Sequence, residues 1–588
     1  MPSSPESARE QLHTWQATQP GNFFTADLGL QRSLEFLWGT ADYKQRVARL
    51  YQFGKQVATE LDAAATRLAA HPPVFHLHDP FGRVLGQVEY HPEHHWLAQQ
   101  LHQAGLTTLA GTPGQNLLAA TLFYLSSQIG EAGQHGSLAA TVGVIKLLQN
   151  AAAPSLRDQF LPPLLDPTQT SPLRGAFWLS EIQGGTNLGS NSTFAYQDEE
   201  VWVLTGEKWL AANPTADLAI VTARVAGQGD GLEGLGLFLL PRTRPDGSPN
   251  GIHIHQSLPT LGANNQAIAS LYLQDALVYP LGSLEQGYGS SNHYARPTLQ
   301  LYHALATIGH CRRAYITAWR YAEHRTLADV PLIHLLLVQD TLTQMRSDVS
   351  AMLSGTLRLV RMLDEHQTGE AQADTAAILR LGIPLNKFRA SILAQELLSQ
   401  GLDMLGGNGL REDFSPLPRL LRDTLALNAW EGSANALLTH MHHEMRQERI
   451  HEPFLRLIRH LLQPSPFEEL RRQALAQLSE MEQTLTDLLA MDELSASVPM
   501  RPLLGRLMDL FYTACLAVEG AWEYLRKDDR TKQRLAEFFC QRRILRREAK
   551  DIPDYAHQIS KLCTDIRLGK IDWGRDQELR TQMGDWAE

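Results

Sequence analysis

The chain has 588 residues, 43% of them hydrophobic and 20% charged, the balance of an ordinary globular protein of roughly three or four domains. Its net charge of −11 excludes a general polyanion binder. The four cysteines, Cys311, Cys515, Cys540 and Cys563, form no CxxC pair and no metal-like spacing, so no metal site is expected and the reducing cytoplasm is the expected location.

In chain order, residues 1–20 are polar and read as loose, without the basic and then apolar leader of a signal peptide. From about residue 31 apolar residues recur at three- and four-residue steps in "YKQRVARLYQFGKQVATELDAAATRLAA" and "HHWLAQQLHQAGL", and residues 115–150 continue as glycine-broken helices. At about residue 171 the texture changes to short, β-branched or alternating segments, "VWVLTGEKWL", "LAIVTARV", "GLGLFLLP" and "AIASLYLQDALVYP", separated by Gly, Pro and Asp. Long helical patterns return from about 295 to 445. Pro453, Pro464 and Pro466 mark a joint, and further helical pattern follows. The expected fold class is α+β, divided into an N-terminal helical domain (1–170), a middle β domain (171–285), a helical bundle (286–448) and a C-terminal helical extension (449–588). No apolar run reaches the roughly 18 residues of a membrane span.

Three stretches could carry chemistry. "FWLSEIQGGTNLGSNS" (177–192) opens the β domain. Gly184 and Gly185 allow a ligand to approach the backbone, and Ser180 and Thr186 offer hydroxyls. "DMLGGNGL" (403–410) is a second glycine-rich turn between helical patterns. In "LRDTLALNAWEGSANALLTH" (421–440) an apolar run stops at Trp430, presents Glu431, and turns on Gly432 into a helix that Ser433 is placed to cap. A carboxylate beside a tryptophan, ahead of a helix N-terminus, is either a solvated capping-region charge or a base tuned by burial. His440, His442 and His443 share a helix, yet only 440 and 443 face similarly, and "HPEHHW" (91–96) reads as surface or structural. "QRRILRREAK" (541–550) puts Arg542, Arg546 and Lys550 on one face of an expected helix.

The order of these motifs, with "GEKWLAANP" and "HPEHHWLAQQL", resembles the acyl-CoA dehydrogenase flavoprotein family, and within it the AidB-like (adaptive-response) branch. The resemblance covers about residues 30–445. It implies bound FAD, an acyl-CoA-like substrate and α,β-dehydrogenation with Glu431 as the base. It places Leu179, Ser180, Gly185 and Thr186 against the flavin from the β domain, with Leu210, Ala211 and Ala212 behind the ring. Ser433 and Asn435 fall on the positions that hold FAD after the base. Gly406, Gly407 and Arg325 fall where the family contacts the FAD of a neighbouring subunit, so a homodimer or homotetramer is implied, with an electron-transfer flavoprotein as redox partner.

Four departures stand against this pattern. Ala212 replaces a hydroxyl residue, and Asp403 stands where many members have Gln. "EHRTLAD" puts His324 at the family's arginine position with Arg325 one step off, and "LGANNQ" (261–266) lacks an Arg-x-Ser. With the extra helices, these departures leave an alternative: an AidB-like flavoprotein that mainly binds DNA or a partner, with vestigial dehydrogenase activity. Arg542, Arg546 and Lys550 are its expected DNA contacts.

Overall fold

The computed structural model describes residues 5–131, 134–284, 287–327 and 329–564. Helices occupy the chain up to Leu165, strands dominate from Gly175 to Pro280, and long helices fill the rest. This is the helical, β, helical order expected. Two features of the first part differ from the sequence reading. Within residues 1–20, read as loose, Pro5–Ala17 is a helix, because Trp15 is buried, stacked on Phe414 at 5.0 Å and edge-on to Tyr321. A hairpin, β1 (Val74–His78) and β2 (Val84–Glu89), also interrupts the helices. Its Phe75, Leu77 and Val88 pack on the core of the middle sheet.

The middle strands are β3 (Gly175–Trp178), β4 (Phe194–Asp198), β5 (Val201–Ala212), β6 (Leu218–Val225), β7 (Leu235–Pro241), β8 (Ile252–Ser257) and β9 (Ile268–Pro280). Pairings run β6–β4–β5–β9–β7 and return to β6, closing the sheet on itself; β3 extends parallel to β6, and β8 lies antiparallel to β9. β6 and β7 are almost wholly buried, as expected of near-continuous apolar strands in the wall of a closed sheet. The β5–β9 register slips between Lys208 and Ala211. There Leu210 takes φ +53°, and a bulge of this kind re-aims a side chain. Leu210 is consequently 53% exposed at a strand end whose next residue, Ala211, is buried.

The last helical part is tied to the bundle through charge. Lys532 Nζ donates to Glu519 at 2.6 Å and pairs with Glu523. Arg389 grips Asp509 with two bonds of 2.7 and 2.6 Å. Arg542 and Arg543 both bond the buried Asp348. This corrects the basic face read from the sequence. The helical turn ends at Ile544, Arg546 is left-handed at φ +53°, and Lys550 pairs with Glu548. Arg542 therefore points inward to an acid, and the three residues share no helical face.

No helix among the described residues is long and apolar enough to cross a membrane, and no group of three or more His, Cys, Asp or Glu among them is arranged to hold a metal. Within "THMHHEMRQ" His442 is buried. In "HPEHHW", His91 caps the helix Pro92–Ala104 by accepting from Glu93 N–H.

Candidate functional site

Glu431 sits between two helices, Leu417–Ala429 and Ala434–Glu448. Its backbone is left-handed, φ +53°, and Gly432 follows at φ +106°. A Cβ at Gly432 would also lie 3.1 Å from Leu437 and 3.2 Å from Arg296, so glycine is required there on both counts. A left-handed glutamate is strained by about 1–3 kcal/mol and persists only where its surroundings fix it. Two side chains do so. Gln300 Nε2 donates to the Glu431 carbonyl at 3.1 Å. Lys387 Nζ donates to the carbonyls of Asn428 and Gly432 at 2.8 and 2.7 Å, clamping the turn on both sides of the carboxylate.

The electrostatics follow from this packing. Burial raises the pKa of Glu431 above the ordinary carboxylate range, against the pull of Arg296 and Lys387. Burial likewise pushes Lys387 down to about 7, although Glu431 works to raise it. The carboxylate and the ammonium thus sense each other in a poorly hydrated turn. Ser433 occupies the cap position of the following helix, but its hydroxyl makes no capping bond; the sequence reading of a side-chain cap is corrected to a positional one. Asn435 Oδ1 accepts from Arg501 of the C-terminal extension.

The second group of residues lies at one end of the sheet. Ser180 accepts from Trp209 N–H through its carbonyl at 2.9 Å. Its hydroxyl, like that of Thr186, has no hydrogen-bond partner among the described residues. Leu179 and Ala212 use their carbonyls internally, accepting from Asn191 Nδ2 at 2.7 Å and Trp178 Nε1 at 3.0 Å. Gly185 is exposed, and a Cβ there would meet only Ser180 Oγ, at 3.6 Å. Ile182 and Leu210, which flank the bond from Trp209 N–H to the Ser180 carbonyl, expose 68% and 53% of their surface. This is an apolar ledge with two uncommitted hydroxyls beside it. It suits a flat aromatic group carrying a polar chain, and the loss of a hydroxyl at Ala212 removes one bond without closing the ledge.

A buried ion pair that sequence reasoning missed holds the ledge. Glu181 accepts from Lys208 Nζ at 2.6 Å and from the N–H groups of Ser192 and Thr193 at 2.6 and 3.1 Å. Burial alone would raise the Glu181 pKa, but Lys208 and these donors outweigh it and hold the carboxyl below its ordinary value.

The two groups meet at the start of the helix His135–Asn150. A Cβ on Gly136 would lie 2.4 Å from the Trp430 ring, and the next residue, Ser137, accepts from Asn213 Nδ2 at 3.1 Å. Trp430 precedes the base and Asn213 follows Ala212, so one helix terminus joins both. Asp423 locks the same junction, accepting from Ala263 N–H at 2.8 Å and Glu131 N–H at 2.9 Å. Gly262 lets "LGANNQ" dock on the helix Leu417–Ala429: a Cβ would lie 2.0 Å from the Arg422 carbonyl oxygen. Around Trp430, Gln266 Oε1 and His303 Nδ1 are buried without a partner among the described residues. Such atoms are what a polar ligand would satisfy.

Arg325, Gly406 and Gly407 are not joined to this junction. Arg325 follows the last turn of the helix Arg296–His324, where His324 Nδ1 is engaged by the Arg320 carbonyl. A Cβ at Gly406 or Gly407 would meet open space. Asn408 reaches Tyr321 at 3.3 Å, and Leu327, Leu337 and Leu410 are exposed by 61%, 83% and 75%.

Three family models match in chain order: the adaptive response protein AidB N-terminal domain over residues 15–169, the acyl-CoA dehydrogenase middle domain over 176–276 and the acyl-CoA dehydrogenase C-terminal domain over 299–445. The chain is 30% identical to AidB of Escherichia coli (strain K12) over 402 residues, 66% of this chain and 72% of that protein. It belongs to the acyl-CoA dehydrogenase family, which is a family of FAD flavoproteins. Its fold matches Caenorhabditis elegans ACDH-11 in complex with C11-CoA at a TM-score of 0.79, 21% identity, covering 93% of this chain and 91% of that one. A Bacillus anthracis acyl-CoA dehydrogenase complexed with FAD matches at 0.68 and 17% identity, covering 81% of this chain and 89% of that chain.

Proposed function

We propose that this chain is an FAD-dependent oxidoreductase of acyl-CoA dehydrogenase type that removes the α and β hydrogens of an acyl thioester, with Glu431 as base. The observation that carries the reading is the turn at Glu431, whose strained backbone is fixed by Gln300 and Lys387 and whose carboxylate is desolvated, beside the helix terminus that also meets the β5 ledge. Leu179, Ser180, Gly185, Thr186, Leu210, Ala211 and Ala212 would hold FAD on the ledge, with Ser433 and Asn435 completing it after the base. FAD, when bound, supplies the acceptor for the hydride that leaves the β carbon. Glu431 takes the α proton, and its raised pKa matches it to a weak carbon acid better than an ordinary carboxylate.

The chain divides at 170, 285 and 448 in this reading, and a homodimer or homotetramer brings Arg325, Gly406 and Gly407 to a neighbour's FAD. The exposed leucines around those residues support an assembly; a monomeric mass in solution would contradict it. An electron-transfer flavoprotein would take the electrons. Four free cysteines, all buried, suit the cytoplasm. The DNA-binding alternative, which rests on the motif departures and the extra helices, loses its expected contact face, because Arg542, Arg546 and Lys550 share no helical face. The test of the cofactor is direct: purified protein should be yellow and release FAD, not FMN, on denaturation. Colourless protein that binds no added FAD in an absorbance titration would refute the reading.

Lys387 acts through Glu431 as a positioning residue. Lys387→Met leaves two carbonyls without their donor, a cost of about 1–3 kcal/mol if they stay dry, and removes a charge that lowers the Glu431 pKa. Acyl-CoA reduction of the flavin should slow by about tenfold or more, and its rising pH limb should move to higher pH. An unshifted limb would reduce Lys387 to a structural role.

A further inference from the structure

A cavity of about 410 Å³ opens between the helix Thr375–Met404, the helix Glu493–Lys527 and the turn Cys540–Ile544. Its size is that of a small-ligand site. Six guanidiniums line it, those of Arg389, Arg501, Arg506, Arg542, Arg543 and Arg546.

The arginines fall into two sets. Arg389 is neutralised by Asp509, and Arg542 and Arg543 share Asp348, with Glu396 also on Arg543. Arg501, Arg506 and Arg546 have no carboxylate partner among the described residues. Arg501 is bonded to Asn435 and Arg506 to Gln477 Oε1 at 2.6 Å, both neutral amides. Six cations thus face three acids, a surplus of three positive charges. The Nε atoms of Arg506 and Arg542 are buried without a hydrogen-bond partner among the described residues. Clustering unpaired guanidiniums costs energy through repulsion unless an anion answers them, and planar guanidinium forks match phosphate oxygens in pairs. Phe388, Ile392 and Pro502 add an apolar wall against which an organic group could lie.

We propose that this cavity is a binding site for a small organic diphosphate, separate from the flavin site, held by Arg501, Arg506 and Arg546. The paired arginines build the walls, and the unpaired three meet the ligand. The site uses neither Glu431 nor the β5 ledge and touches the proposed flavin residues only through the bond from Arg501 to Asn435.

The test is calorimetric titration of FAD-loaded protein with ADP and with inorganic pyrophosphate at low ionic strength. Both should bind with flavin absorbance unchanged. Arg506→Gln and Arg546→Gln should each weaken binding by about tenfold, the value of a charge-assisted hydrogen bond, while flavin content and melting temperature stay at the wild-type level. These two are chosen because neither leaves a buried acid unpaired, as a change at Arg389 would by stranding Asp509. No binding of either probe, or wild-type affinity in both variants, would overturn the site. Binding that displaces FAD, or that occurs only to flavin-free protein, would assign the guanidiniums to the flavin's own phosphates and overturn a separate site.

Discussion

Glu431→Gln should retain FAD and lose acyl-CoA reduction of the flavin by well over about 100-fold, the lower range for removing a general base. Gln keeps the size of the side chain and leaves untouched the bonds that hold the turn, because Gln300 bonds the Glu431 carbonyl and Lys387 bonds the carbonyls of Asn428 and Gly432. The loss would therefore report proton removal and not a collapsed loop. Burial raises the Glu431 pKa, and the base must be ionised to act. In the wild type, reduction should rise with pH through a limb above the ordinary carboxylate range. Stopped-flow reduction across pH measures both effects; wild-type rates in the variant would take Glu431 out of the mechanism.

Lys208→Met should be the most destabilising single change near the ledge. It strands Glu181, whose side chain is 2% exposed, without its cation at 2.6 Å. Removing one partner of a buried pair costs about 3–5 kcal/mol, because the remaining charge stays dehydrated. Lys208 Nζ also donates to the Thr222 carbonyl at 2.8 Å, so a second buried group loses its bond. The turn from Leu179 to Thr193 hangs on Glu181, so the variant should lose FAD as well as stability. The double change Lys208→Met with Glu181→Leu should recover part of the stability, since it removes both charges. Thermal melting with flavin release as a second probe distinguishes these outcomes; a variant as stable as wild type would show the pair is not holding the turn.

The motifs at 177–192, 403–410 and 421–440 were legible because each combines glycine with a polar residue at a break between periodic segments. Their order carried the family and the α+β class. What surrounds them was not legible. Lys387 lies within a long helix, and nothing local distinguishes it from a solvated lysine; its partners lie 41 and 45 residues away. The Glu181–Lys208 pair spans 27 residues and a strand crossing. A polar N-terminus read as loose because Trp15 finds Phe414 only in three dimensions. The stripe at 542–550 assumed an unbroken helical period, but the left-handed backbone at Arg546 ends that period and Asp348, 194 residues earlier in the chain, draws Arg542 inward. The left-handed φ of Leu210 and Glu431, at residue types that rarely adopt it, leaves no mark in composition.

The central claim is that a bound flavin and Glu431 together oxidise an acyl thioester. Anaerobic titration of the purified yellow protein with a panel of acyl-CoAs of varied length and branching, followed by flavin absorbance, tests it most directly. At least one thioester should bleach the flavin in the wild type and leave it oxidised in Glu431→Gln. A flavin that stays oxidised with every thioester, in protein that demonstrably holds FAD, would contradict the account.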